Sequence, residues 1–241
     1  MTKDDFTNQV IELANKMQGF VVERRRDFHQ HPEVKFEEKR TGDIVEQLLR
    51  EWGYETKRTA GTGVIGILKC GEKGKTVALR ADIDALYVKE ENEVAYKSVF
   101  EGKMHACGHD AHIAMLLGAA KIISDMKDSF AGTVKLIFQP GEEGGAGAKK
   151  VVEEGHVDDV DAIFGIHAWV ELPSGVLATR KGPMMASSDG FQIKIIGEGG
   201  HAAHPHLTND PTAPAADIYN AFHKLVSRAA NPFSPVVITL P

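Results

Sequence analysis

The chain is poor in cysteine, with only Cys70 and Cys107 in 241 residues. That excludes a disulfide framework as the support of the fold, and at this length an apolar core suffices without one. A reducing compartment, the cytoplasm, is the simplest expectation. Basic blocks are also missing: the formal net charge is -6, and Lys and Arg are spread along the chain. No electrostatic footprint for nucleic acid results, which leaves a small-molecule or peptide substrate as the expected partner. No apolar run approaches membrane-spanning length, and the opening MTKDDFTNQV has acidic residues where a signal peptide needs basic ones. No membrane association is expected. Internal repeats and low-complexity segments are absent too.

Regular patterns are plentiful. Val10, Ile11, Ala14, Met17, Val21 and Val22 recur at helical spacing, predicting a helix from Asp4 to Phe28, with a kink near Gly19, that His31-Pro32 ends. Ile44, Val45, Leu48 and Leu49 predict a second helix from Glu37 to Trp52, with Gly53 placed to terminate it. Short β-type runs follow at 63–68 and 76–81, then a helix over 111–126. Strand 133–138, helix 147–154 and buried strand 161–166 continue the rhythm of an α/β fold, a mixed and largely parallel sheet flanked by helices. Past Gly182-Pro183 a strand over 191–196, a helix over 217–226 and a strand over 236–240 read as the opening of a smaller α+β unit. The expected division is 1–184 and 185–241, and a β-type run reaching Pro241 without a closing helix is expected of a C-terminally truncated chain.

Seven of the eleven histidines fall in HACGHDAH, GIH and HAAHPH. Burying so many titratable rings costs free energy unless something satisfies them, and a metal is the common means. Asp82 and Asp84 follow one predicted strand, Glu142 and Glu143 a second, and His167 a third. Ligands gather outside the carboxyl ends of strands in open α/β sheets. Cys107 and His109 stand at a helix start, where the dipole favours a thiolate. Cys, His and carboxylate together suit zinc first, with manganese, cobalt or nickel admitted by the oxygen ligands. In Glu142-Glu143 one carboxylate can bind metal while the other takes a proton from water, the division of labour that hydrolysis needs.

The segments RRDFHQHPE, LRADIDAL, GKMHACGHDAHIAMLLGAA, GTVKLIFQPGEEG, AIFGIHAW, PSGVLATRKGPMMAS and GEGGHAAHPH, from about residue 24 onward, resemble the di-metal amidohydrolase family of aminoacylases, hippurate hydrolases, auxin-conjugate hydrolases and related carboxypeptidases. The resemblance implies a zinc-peptidase-like catalytic domain and a smaller α+β lid or dimerisation domain, hence a homodimer or higher oligomer. It implies two divalent metal ions with Cys107 bridging them, His109, Glu143 and His167 as further ligands, and Glu142 as general base. His201 would polarise the substrate carbonyl in the partner subunit's site, and Asp84 would support the catalytic group. A further ligand histidine that the family carries near its C-terminus has no counterpart here.

Two positions depart from the family pattern. Tyr87 stands where DALP has proline, and Gly141 where PAEEG has alanine, a change expected to loosen the segment before Glu142. His105 and Asp110 are expected to orient a ligand or to bond the loop. His29 and His31 are expected to end the first helix, His204 and His206 to be surface residues, and Cys70 to be structural. The implied reaction is hydrolysis of an amide bond in N-acyl amino acids or short peptides. The competing expectation is an inactive or incomplete family member that only binds metal.

Overall fold

The structure, a computed structural model, describes residues 2–71 and 73–240, so Pro241 lies outside the described residues. The chain divides into two compact units, one ending at Val176 and the other starting at Leu177. Among the described residues no helix is long and apolar enough to cross a membrane.

The first unit opens with α1 (Lys3–Gln30), whose first turn is closed by a reciprocal cap: the Thr2 hydroxyl accepts from the Asp5 N–H and the Asp5 carboxylate accepts from the Thr2 N–H, both at 3.1 Å. The helix is continuous through Gly19. It stops at His31, whose ring Nδ1 donates to the Asp27 carbonyl at 2.8 Å, and Pro32 follows. Next come α2 (Lys39–Glu51), β1 (Glu55–Thr59), β2 (Gly63–Cys70), β3 (Thr76–Asp82), α3 (His109–Asp125), β4 (Gly132–Gln139), α4 (Gly147–Glu153) and β5 (Ala162–Gly165).

The strands form one mixed sheet in the order β1-β2-β4-β3-β5. β1 with β2 and β2 with β4 are antiparallel, whereas β3 runs parallel to both β4 and β5. Parallel pairing therefore accounts for half of the sheet, because β1, a polar strand that alternation did not reveal, turns back as a hairpin onto β2. Period-2 alternation sends β2 and β4 side chains to both faces. Val64, Leu68, Leu136 and Phe138 join Phe28, Val45, Leu49, Ile113 and Leu117 in the main core under α1, α2 and α3, while Ile65, Ala78 and Ile137 meet Val151 of α4 on the other face. Cys70 is buried and free.

Buried Tyr54 ties the entry of β1 to α3, its hydroxyl donating to the Ala120 carbonyl at 2.8 Å. Tyr54→Phe is expected to cost about 1 kcal/mol. Urea denaturation should show a lower midpoint at unchanged slope, and an unchanged midpoint would remove this bond from the stability account.

Two expectations need correction. The 161–166 run is not a buried strand: β5 is the outermost strand, and Ile163 and Phe164 are 54% and 60% exposed. In the second unit α5 (Thr212–Arg228) covers the expected helix, but 191–196 and 236–240 are not strands. A strand exists only through a hydrogen-bonded partner, and among the described residues neither segment has one; the pairing in this unit is a single bridge between Glu198 and Asn209. Phe191 stacks instead on Phe222 of α5, with ring centroids 5.0 Å apart.

Candidate metal centre

Because β3, β4 and β5 share one direction, their carboxyl ends open on the same rim of the sheet. Asp82 ends β3 with Asp84 two residues on, Glu142 and Glu143 lie in the turn after β4, and His167 follows β5. The long connection after β3 folds back, with Leu86 bridged to Met104, and returns the chain to Cys107. Gly108 then adopts φ +84° and starts α3 at His109. Thus one helix start and three strand ends meet.

Ligand-capable atoms of Cys107, His109 and His167 lie within 4.8 Å of one another, and so do those of His109, Glu142 and Glu143. His109 joins the two groups. Its Nδ1 donates to the Asp84 carbonyl at 2.8 Å, which leaves Nε2 buried without a hydrogen-bond partner, 3.6 Å from an Asp82 carboxylate oxygen and 3.9 Å from one of Glu143. A fully buried imidazole nitrogen turned towards carboxylates and without a hydrogen-bond partner fits a cation. At His167, Nδ1 donates to the Ala168 carbonyl at 2.6 Å and Nε2 points to the Cys107 sulfur at 3.6 Å, so both electron-pair donors face one point.

Charge agrees with this reading. Asp82, Asp84, Glu142 and Glu143 crowd one small volume. Burial alone pushes the Asp82 carboxyl up, but the hydrogen bond from His112 and the charges of His109 and Arg80 hold it well below the usual range. At His109 burial lowers the pKa, yet the bond and charges of Asp84 and Asp82 raise it overall. The Cys107 thiol is pushed up to about 11, first by burial and then by the Glu143 carboxylate. Burial and the acidic neighbours both oppose a thiolate here, and a cation is what would offset them. The donor set of thiol, imidazole and carboxylate fits a divalent metal.

A third group within the same reach, Asp82, His109 and His112, works differently. His112 Nε2 accepts from the Ala168 N–H at 2.8 Å, so its proton sits on Nδ1 and is donated to Asp82 at 2.6 Å. Both nitrogens are used. His112 therefore fixes the segment beside His167, a role that sequence inspection did not assign, although the HDAH spacing puts His109 and His112 on one face of α3. Arg80 braces the same corner, donating to Asp82 at 2.7 Å and to the Gln139 side chain at 2.6 Å and 2.9 Å. Asp84 takes the Glu143 N–H at 2.9 Å, anchoring the turn after β4.

Further expectations change beside this site. Gly141 does not loosen its segment: at φ +60° it packs so closely on Phe36 that a Cβ would stand 2.7 Å from the ring. His29 is not merely a helix end. Buried, it holds Asp110 at 2.7 Å through Nδ1 and Glu90 at 3.0 Å through Nε2, while Arg25 reaches the same Asp110 oxygen at 2.9 Å. His105 is buried with neither ring nitrogen bonded, and burial brings its pKa down to about 4. His201 belongs to the second unit, exposed, with Nδ1 accepting from the Ala203 N–H at 3.1 Å. His204 and His206 are exposed as well.

Residues 78–239 match the model of peptidase family M20/M25/M40. The chain is 43% identical over 240 residues to thermostable carboxypeptidase 2 of Saccharolobus solfataricus, covering 98% of this chain and 61% of the relative. It is 46% identical over 236 residues to IAA-amino acid hydrolase ILR1-like 4 of Arabidopsis thaliana, covering 97% and 53%. Among solved structures, a Bacillus subtilis protein described as a dinuclear metal-binding peptidase from the M20 family superposes with a TM-score of 0.67 at 40% identity, covering 70% of this chain and 48% of that one. The chain thus spans between about half and three fifths of the length of these curated relatives. With the rim geometry and the match over 78–239 pointing the same way, the chain belongs to peptidase family M20/M25/M40.

Proposed function

We propose that the protein hydrolyses an amide bond in N-acyl amino acids or short peptides, as an aminoacylase, hippurate hydrolase or carboxypeptidase does, with two divalent metal ions held by Cys107, His109, Glu143 and His167. The observation that carries this reading is the buried, unbonded His109 Nε2 between the Cys107–His167 pair and the Glu142–Glu143 turn. When bound, the metals would polarise the scissile carbonyl and acidify a water molecule. Zinc suits the thiol and imidazole donors best, and manganese, cobalt and nickel are the alternatives.

The protein's own groups divide the remaining work. Glu142, exposed at the rim, takes a proton from the attacking water and passes it to the leaving nitrogen. Asp84 holds the Glu143 backbone and the His109 ring in place. His201 is proposed to stabilise the developing oxyanion in a partner subunit's site, with the segment after residue 184 serving as the beginning of a lid and dimerisation unit. Small-molecule or peptide substrates, a homodimer or higher oligomer, and a cytoplasmic location complete the reading. Two free cysteines support that location.

The test is metal removal and return. Chelator-treated protein should lose its metal and its activity on a panel of N-acetyl and N-benzoyl amino acids and dipeptides. Zinc, manganese, cobalt or nickel should restore both, with about two equivalents per chain measured by elemental analysis. Metal bound without turnover would instead support a family member that only binds metal. A protein that takes up no metal overturns the proposal.

A further inference from the structure

The turn that carries Glu142 and Glu143 is held from below by residues of the α1–α2 connection. Glu38 is fully buried. One oxygen of its carboxylate accepts from the Gly141 N–H at 2.9 Å and the other from the Thr62 hydroxyl at 2.5 Å. A carboxylate removed from water and spent on one backbone N–H and one hydroxyl costs desolvation that only a well-placed pair of bonds offsets. Three residues earlier in the sequence than Lys39, Phe36 adopts φ +60°, a backbone state rare for an aromatic residue. Its ring lies in the space where side chains at Gly141 and Gly145 would be, with a Cβ at either position 2.7–2.8 Å from ring carbons or neighbouring backbone. The Lys150 ammonium of α4 covers the ring at 3.7 Å from its centroid. Strain at a bulky residue is retained when its surroundings demand it, and here the surroundings are the turn after β4.

We propose that Glu38 and Phe36 are positioning residues that set the Glu142–Glu143 turn against His109, and so fix how the Glu143 carboxylate reaches the metal centre. The inference rests on the metal reading above. Glu38 fastens the turn at Gly141 and Asp84 fastens it at Glu143, so Glu142 sits between two fixed backbone amides and Glu143 carries one of them. Phe36 occupies the volume into which the turn would otherwise collapse, and this explains why glycine rather than alanine precedes Glu142 in this sequence.

The experiment is zinc titration calorimetry on the 241-residue chain and its variants. Glu38→Ala should weaken zinc binding about 10–100-fold, the loss expected when support behind a ligand is removed. Glu143→Ala should weaken it comparably, and the double variant should bind no more weakly than Glu143→Ala alone, because Glu38 acts only through that ligand. Glu38→Gln, which keeps an acceptor for Gly141, should remain within about threefold of the unaltered chain. In the metal-free protein, amide exchange over 139–147 should quicken in Glu38→Ala while β2 keeps its protection. Should Glu38→Ala fail to fold, Phe36→Ala carries the same expectations. Equal weakening with and without the Glu143 side chain, or none in either, overturns the positioning role and leaves the metal reading standing. An unaltered chain that binds none of zinc, manganese, cobalt and nickel overturns both.

Discussion

Glu142→Gln is expected to retain its metal and lose activity by about 10²–10⁴-fold, the range associated with removing a positioned general base. The amide matches the carboxylate in shape and leaves the bonds of its own backbone intact, including the Gly144 N–H to the Glu142 carbonyl at 2.7 Å. Glu143 keeps its anchor on Asp84 as well. The loss should therefore appear in kcat with little change in KM, because a proton acceptor contributes to the transition state and not to substrate binding. Steady-state rates on an N-acyl amino acid, with bound metal measured on the same sample, check it. A variant that kept near-normal turnover would take the proton-transfer role away from Glu142.

His29→Leu should destabilise the fold by about 3–5 kcal/mol, the cost of taking one partner out of a buried ionic cluster. The imidazole stands between Asp110 and Glu90, both nearly inaccessible to water, and leucine would leave two buried carboxylates facing an apolar side chain. Arg25 still reaches Asp110, and the Ser98 N–H still reaches Glu90, which is why a folded variant is expected. The effect should depend on pH. The hydrogen bond that His29 donates to Asp110 raises the His29 pKa, against burial, with the bond to Glu90 adding to it. Its contribution is fully present below the unfolded value of about 6.5 and is lost as pH rises through the folded value. Asp110 is shifted the other way: burial opposes ionisation, but the bond to His29 wins and lowers its pKa. That contribution is present above the unfolded carboxylate value of about 3.9 and fades as pH falls through the folded one. Denaturation across pH should show the gap between the two proteins widest from about pH 4 to 6.5 and narrowing in alkali. A gap independent of pH would mean that packing, not charge, sets the cost.

The difference between what the sequence disclosed and what it hid follows from the range of the interactions. α1, α2 and α3 were legible because their apolar faces repeat within a few residues, and β2, β3 and β4 because both sides of each are covered. β1 was not, since ETKRT has the composition of a surface loop and becomes a strand only by pairing with β2. The runs at 191–196 and 236–240 fail in the opposite sense, with strand composition and no partner among the described residues. At the site, the ligand types and their place after strand ends were visible in the motifs, and the structure brings Cys107, His109, Glu143 and His167 together. The residues that brace them were not visible: Glu38 meets Gly141 across 103 positions and His29 meets Asp110 across 81. No local pattern encodes such a meeting. His112 was closer to detection, one helical turn from His109, but the two bonds that make it a brace end on Asp82 and Ala168.

The two borders of the sheet are built differently, and this bears on how the protein behaves in concentrated solution. β1 closes one border with Glu55, Lys57 and Arg58, charges that discourage a foreign strand from docking. β5 closes the other with Ala162, Ile163, Phe164 and Gly165, uncharged and largely exposed, followed by Ile166 at 58% exposure. Its outward backbone amides and carbonyls have no strand beside them among the described residues. Such a border is adhesive: it offers a hydrogen-bonding template and apolar side chains together, the combination from which edge-to-edge aggregates nucleate. This margin, rather than the charged border at β1, is therefore where one chain offers a template to another.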